Sequence, residues 1–294
     1  MTVVGLPGWA LPVSSQAVAL RRGADLFVAH SRAEREAFEP VTARLAPGTQ
    51  VVLSRLPFLP PPAAGEVAGT DGPDGGRPPV RRVVFAPQAL VPASRPDRER
   101  LVDGLVGIAE AGYEVVVKLR GRDVERQTHD ERWPFDELAA ARPGGAPGLR
   151  FETGPLAPWL GPGTALVTVS STAALEALAA GVPVALVDDF GVRDELINTA
   201  FRGSGLLVGL ADLPAVLAAG GPVADGDWLD AHGLHATPSE LPAALRAALD
   251  ATHGAGAGAP GPPGCEARRT CAPSRGCSRP HRSRNPFVGA DAGC

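Results

Sequence analysis

The sequence predicts an α/β protein built on parallel sheets, and three observations carry the prediction. Short β-branched runs alternate with helical patterns through residues 2–59 and again through 81–252, the order of βαβ units. VVVKL (115–119) and VALV (184–187) lack polar alternation, which marks strands covered on both faces. Gly and Pro are abundant, at 36 and 31 of 294 residues, but much of the excess falls in residues 60–80 and after 253. The expected architecture is one complete Rossmann-like domain plus a partial N-terminal Rossmann-like domain.

In the N-terminal zone, 1–59, VVGL opens as a short apolar run. Val13–Arg22 reads as a helix with Ser14 or Ser15 near its N-cap, and Leu26–Ala29 as a strand ending in His30-Ser31. Arg32–Leu45 reads as a helix opened by Ser31, with Glu34 three residues on completing a capping box. Val51–Leu53 is a third strand. Residues 60–80 hold almost no bulky apolar side chains, cannot offset ordering entropy by burial, and read as a flexible linker.

The zone 81–252 carries strands at Arg82–Ala86, Glu114–Leu119, Leu149–Glu152, Ala165–Val169, Val182–Val187 and Gly205–Val208. Helices fall near Pro96–Ala111, Phe135–Ala141, Thr172–Ala180, Arg193–Ala200, Leu213–Ala218 and Ser239–Thr252. Residues 253–294 show no period and read as a disordered tail, with a composition like GC-rich DNA translated out of frame. Three N-terminal strands are fewer than a partner Rossmann domain needs, so the expectation is a chain that starts inside a larger protein, about 100 residues short; a deliberately small N-terminal cap is the other reading.

Charge and cysteine usage exclude several classes. The net charge of −4 argues against a nucleic-acid protein. All four cysteines lie in the tail, leaving residues 1–264 cysteine-free, as suits a reducing cytoplasmic compartment. Cys265, Cys271, Cys277 and His281 are spaced too widely for a zinc site, so no metal is expected. No apolar run reaches the ~18 residues of a membrane helix. The N-terminus lacks the basic region of a signal peptide. No GxGxxG after a strand, P-loop or GxSxG elbow is present.

The sharpest motif is a buried strand running into Ser170-Ser171-Thr172, then an Ala/Leu helix, Gly181 and a second strand. Hydroxyls and free N–H groups at such a helix start suit a nucleotide's phosphates. The same residues equally suit plain N-capping. Glu176, about one turn down the same face, is placed to reach a ribose or to orient the hydroxyls. Asp188 and Asp189 follow the next strand, where ligands of open sheets gather, though a helix cap explains Asp189 as well. Lys118, the only lysine, ends a buried strand and shares a strand face with Arg120; together they suit a diphosphate or a carboxylated sugar. His129 suits a general acid or base, against the plainer reading of a solvated loop histidine. Gln88 follows the first strand of this zone, and His30 ends an N-terminal strand, so both lie on C-terminal sheet edges.

FAPQ, VVVKLRG, QTH and VTVSSTAALEALAAGVPVALVDDFGV together resemble an uncharacterised bacterial family of the glycosyltransferase-B fold. That family is distantly similar to CDP-glycerol glycerophosphotransferases and capsular polysaccharide sialyltransferases. The resemblance spans about residues 3–59 and 81–210. It implies two Rossmann-like domains, a nucleotide-sugar donor held mainly by the C-terminal one, and transfer to a polysaccharide or glycolipid without cofactor or metal. It also implies donor-side roles for Ser170, Ser171, Thr172, Glu176, Lys118, Arg120 and His129. Gln88 is taken as a further donor-side candidate from its sheet-edge place, and His129 and His30 as the catalytic candidates. The expected location is cytoplasmic, at the inner face of the membrane in a peripheral association; oligomeric state is unreadable. Two other readings stand beside it: a nucleotide-sugar 2-epimerase, and a non-catalytic nucleotide-binding remnant.

Overall fold

The computed structural model describes residues 1–6, 8–59, 78–119, 131–234 and 239–255. The N-terminal zone forms β1 (Val3–Gly5), α1 (Ser15–Ala19), β2 (Leu26–Ala29), α2 (Arg32–Leu45) and β3 (Gln50–Leu53). The strands are parallel in the order β1-β2-β3. Ser31 caps α2 as its sequence predicts, its Oγ accepting the Glu34 N–H at 3.1 Å. Phe38, one turn beyond Glu34, stacks on Phe27 of β2 with ring centroids 4.8 Å apart, fixing helix to sheet.

The second zone continues with β4 (Arg82–Phe85), α3 (Arg95–Glu110), β5 (Glu114–Lys118), α4 (Phe135–Ala141) and β6 (Leu149–Glu152). It then runs through β7 (Thr164–Thr168), α5 (Ala173–Ala179), β8 (Val184–Val187), β9 (Leu207–Val208), α6 (Leu213–Ala218), α7 (Gly226–Ala231) and α8 (Leu241–Ala255). The parallel six-stranded sheet has the order β6-β5-β4-β7-β8-β9. Counted from β4, this is the doubly wound order 3-2-1-4-5-6, which turns back between β4 and β7. Side chains alternate between faces, so Val83, Phe85, Val115 and Val167 pack under α3. Val84, Val116, Leu166 and Leu186 pack under α5 and against Phe201 and Trp228. Apolar patterning therefore fixes which helix covers which face. Both sheets belong to one compact unit, Met1–His253; Gly254 and Ala255, which end α8, fall in a second unit, Gly254–Cys294.

Two elements differ from the sequence reading. Arg193–Ala200 is not one helix but two 3-10 turns, Asp194–Leu196 and Thr199–Phe201, separated by Ile197 at φ 54°. Asn198 explains the break: its Oδ1 accepts the Arg193 N–H at 2.9 Å and its Nδ2 donates to Gly191 O at 3.0 Å. These local bonds compete with the helix ladder. The second difference is α7, a short helix that the sequence reading left as loop. Asp225 caps it through a 2.8 Å bond from Trp228 N–H. The proposed linker 60–80 is described only from residue 78, where Val80 is already buried in the core under α3. The tail beyond 255 lies outside the described residues.

Candidate functional site

The turning point between β4 and β7 is where an open α/β sheet leaves a crevice beyond its strand ends. Gln88 follows β4 there and Ser170 follows β7. The two side chains meet: Ser170 Oγ donates to Gln88 Oε1 at 2.5 Å, and Gln88 Nε2 donates to Ser170 O at 3.2 Å. Beneath them Thr168 Oγ1 donates to Ala86 O at 2.7 Å and accepts the Ser171 N–H at 3.3 Å. Ser171 Oγ accepts the Ala173 N–H at 3.2 Å, so this hydroxyl caps α5. Thr172 makes no side-chain cap bond. Of the three hydroxyls, Ser171 caps the helix, Ser170 pairs with Gln88, and Thr172 makes no cap bond.

Glu176 lies half-buried one turn below Thr172, and burial pushes its carboxyl above the usual range. Lys118 stands one strand further from the turning point. It is 7% exposed, donates to Thr153 O at 2.6 Å, and lies 5.7 Å from the Trp159 ring centroid. Burial lowers its pKa, opposed by the charge of Glu152. Lys118 is therefore tied to the end of the strand beside its own. Arg120 and His129 lie outside the described residues.

The smaller sheet approaches the same edge. A β-carbon on Gly8 would sit 3.5 Å from Thr172 Cγ2, so the loop after β1 runs alongside the hydroxyl loop. His30 follows β2, and its Nδ1 lies 2.8 Å from Ser54 O. A carbonyl only accepts, so Nδ1 is the donor of this bond, a tautomer that leaves Nε2 as an acceptor. Glu34, 1% exposed, accepts the His30 N–H at 2.5 Å and the Ala10 N–H at 2.6 Å. Burial raises its pKa, while those bonds oppose the rise. The capping-box residue thus clips the loop after β1 to the end of β2.

Five further residues shape this edge without having been singled out in the sequence. Trp9 meets Phe201 at 5.0 Å, Trp228 at 5.8 Å and His232 at 4.9 Å, each edge-on. Trp228 in turn stacks on His232 at 4.4 Å. This aromatic seam joins the loop after β1 to α7. Arg98 of α3 is buried and holds the loop that carries Gln88. Its signal was legible: residues 98, 101, 102 and 105 fall on one apolar helical stripe, so Arg98 sits where a core residue belongs.

The seam titrates. Burial holds the His232 imidazole below its ordinary pKa, with a bond to Trp228 O opposing. The unfolded chain therefore binds the proton first as pH falls. The seam's contribution is complete above the unfolded histidine value of about 6.5 and is lost as pH drops through the folded value. Urea unfolding midpoints are expected to fall between pH 7 and 5, and the drop should shrink in His232→Phe.

Among the described residues, no group of three or more His, Cys, Asp or Glu is placed to hold a metal ion. No described helix is long and apolar enough to cross a membrane. A family model described as "Putative glycosyltransferase (DUF6716)" matches residues 1–248. No functionally curated protein matches the sequence significantly. Similar solved structures include the pneumococcal O-GlcNAc transferase GtfA in complex with UDP and GlcNAc, at 13% identity and TM-score 0.43, covering 74% of this chain and 44% of that one. They also include TarM of S. aureus, at 11% identity and TM-score 0.42, covering 84% and 49%. A third is Arabidopsis thaliana UGT89C1, at 13% identity and TM-score 0.42, covering 79% and 60%. The chain spans about half the length of these structures.

Proposed function

The chain belongs to the DUF6716 glycosyltransferase family, and we propose that it transfers a sugar or related group from a nucleotide-linked donor to a polysaccharide or glycolipid hydroxyl. The observation that carries this reading is the Gln88–Ser170 pair beside the Ser171-Thr172 loop, at the β4/β7 turning point. A doubly wound sheet takes its ligands at that point, and converging hydroxyl and amide groups suit a phosphate.

In the proposed reaction the acceptor oxygen bonds to the donor's anomeric carbon as the bond to the leaving phosphate breaks. The acceptor proton passes to a base, and the leaving phosphate takes the bond's electron pair. The Ser171 and Thr172 hydroxyls meet that phosphate, which places stabilisation where charge develops, and Ser170 joins them when its proton turns from Gln88 to the phosphate. Glu176 takes the ribose. His30, with Nε2 as acceptor, is the proposed base on the side of the smaller sheet. Arg120 and His129 complete the donor side in this proposal, and Lys118 supports it from β5. The transfer is proposed to proceed without cofactor or metal, in the cytoplasm at the inner face of the membrane.

Calorimetry with UDP, CDP, GDP and CMP tests the donor site. One of them is expected to bind, and Thr172→Val should weaken it roughly tenfold, the value of one hydrogen bond to a charged group, at an unchanged melting temperature. Absence of binding by all four at millimolar concentration would sink the reading.

A further inference from the structure

Arg98 is a charged side chain at 1% exposure, and each of its N–H groups is matched by an acceptor. Nε donates to Pro92 O at 2.8 Å. Nη1 donates to Glu131 Oε1 at 2.6 Å and to Trp133 O at 2.8 Å. Nη2 donates to Gln88 O at 2.8 Å and to Ala89 O at 2.5 Å. Its guanidinium also covers the Phe135 ring at 4.9 Å. Three of the five acceptors, Gln88, Ala89 and Pro92, lie in one stretch of backbone after β4. The other two, Glu131 and Trp133, lead into α4. A planar fork with five fixed donors can hold these carbonyls at once, and an ammonium with three donors cannot.

The held stretch is the one whose side chain reaches across the turning point. Gln88 bonds Ser170 through both its amide oxygen and its amide nitrogen. Arg98 fixes the backbone from which the Gln88 side chain extends, and the two bonds to Ser170 fix its amide end. We infer that Arg98 is a positioning residue that sets the Ser170–Thr172 loop through Gln88, acting from within the core without touching a ligand. Its consequence for donor binding rests on the function proposed above.

Hydrogen exchange on the ligand-free protein tests the inference without reference to any nucleotide. Arg98→Lys is expected to speed exchange in residues 88–92 and also in 168–172, with α6 unchanged. Gln88→Ala, at a half-buried side chain, should speed exchange in 168–172 alone, and it keeps the test decisive should Arg98→Lys not fold. Unchanged exchange in 168–172 in Gln88→Ala, or in a folded Arg98→Lys, would overturn the inference. With the nucleotide that binds best, each variant should lose roughly tenfold in affinity, and the double variant no more than either alone, because coupled residues are not additive. Additive losses of about a hundredfold would show two independent roles and would also overturn it. If the wild type binds no nucleotide, the donor reading fails, while the exchange result still decides the role of Arg98.

Discussion

Arg98→Ala is expected to lower the unfolding free energy by about 3–5 kcal/mol, the usual cost of breaking a buried ion pair by removing one partner. The loss has two sources. Glu131, whose side chain is only 18% exposed, is left without its cation. The carbonyls of Gln88, Ala89, Pro92 and Trp133 lose donors in a region that water does not readily reach. A domain of this size is held by about 5–15 kcal/mol in total, so the variant sits near the edge of folding. Urea denaturation followed by far-UV circular dichroism checks the value. A loss below about 1 kcal/mol, the range of exposed ion pairs, would mean that the cluster is not the buried one described.

Trp228→Ala is expected to cost a similar 3–5 kcal/mol, the range for large aromatic side chains removed from a core. The indole is 6% exposed, donates from Nε1 to Ala200 O at 2.9 Å, and is flanked by Phe201 at 5.8 Å. Its removal also leaves Trp9 and His232 facing a cavity. Because Trp9 belongs to the loop after β1, the damage should reach the smaller sheet as well as α7. Chemical denaturation checks the magnitude, and Trp228→Phe should recover most of it by refilling the space. Equal losses in the two variants would point to the Ala200 bond as the main contribution.

Much of this fold was legible because its signals are local and repeated. The apolar runs at 115–117 and 184–187 have no alternate fate but a doubly covered strand, and Ser31 and Glu34 announced α2. The hydroxyl loop was legible from its place between a buried strand and a helix. Its pairing with Gln88 was not, since 82 positions separate the partners and no local pattern links them. The helix expected at Arg193–Ala200 failed because one residue, Asn198, offers the backbone other bonds. Trp228 was missed because α7 spans only six residues, too few to show a period. The bond of Lys118 was not legible either, since the carbonyl that accepts it follows the neighbouring β6, 35 positions away.

The far end of β3 has a consequence for the order in which the protein is made. Glu240 N–H donates to Leu53 O at 2.8 Å, and its carboxylate accepts the Leu53 N–H at 3.1 Å while pairing with Arg35. Arg32 is likewise paired with Asp230 at 2.5 Å. The smaller sheet is therefore fastened by residues made well after it, across a separation of 187 positions. Until those residues emerge, the smaller sheet has neither its clasp nor the α7 half of the aromatic seam. Non-local closure of this kind is slow and leaves apolar strands open meanwhile. The smaller sheet is thus the part that waits for its clasp, and a part a chaperone would have reason to cover.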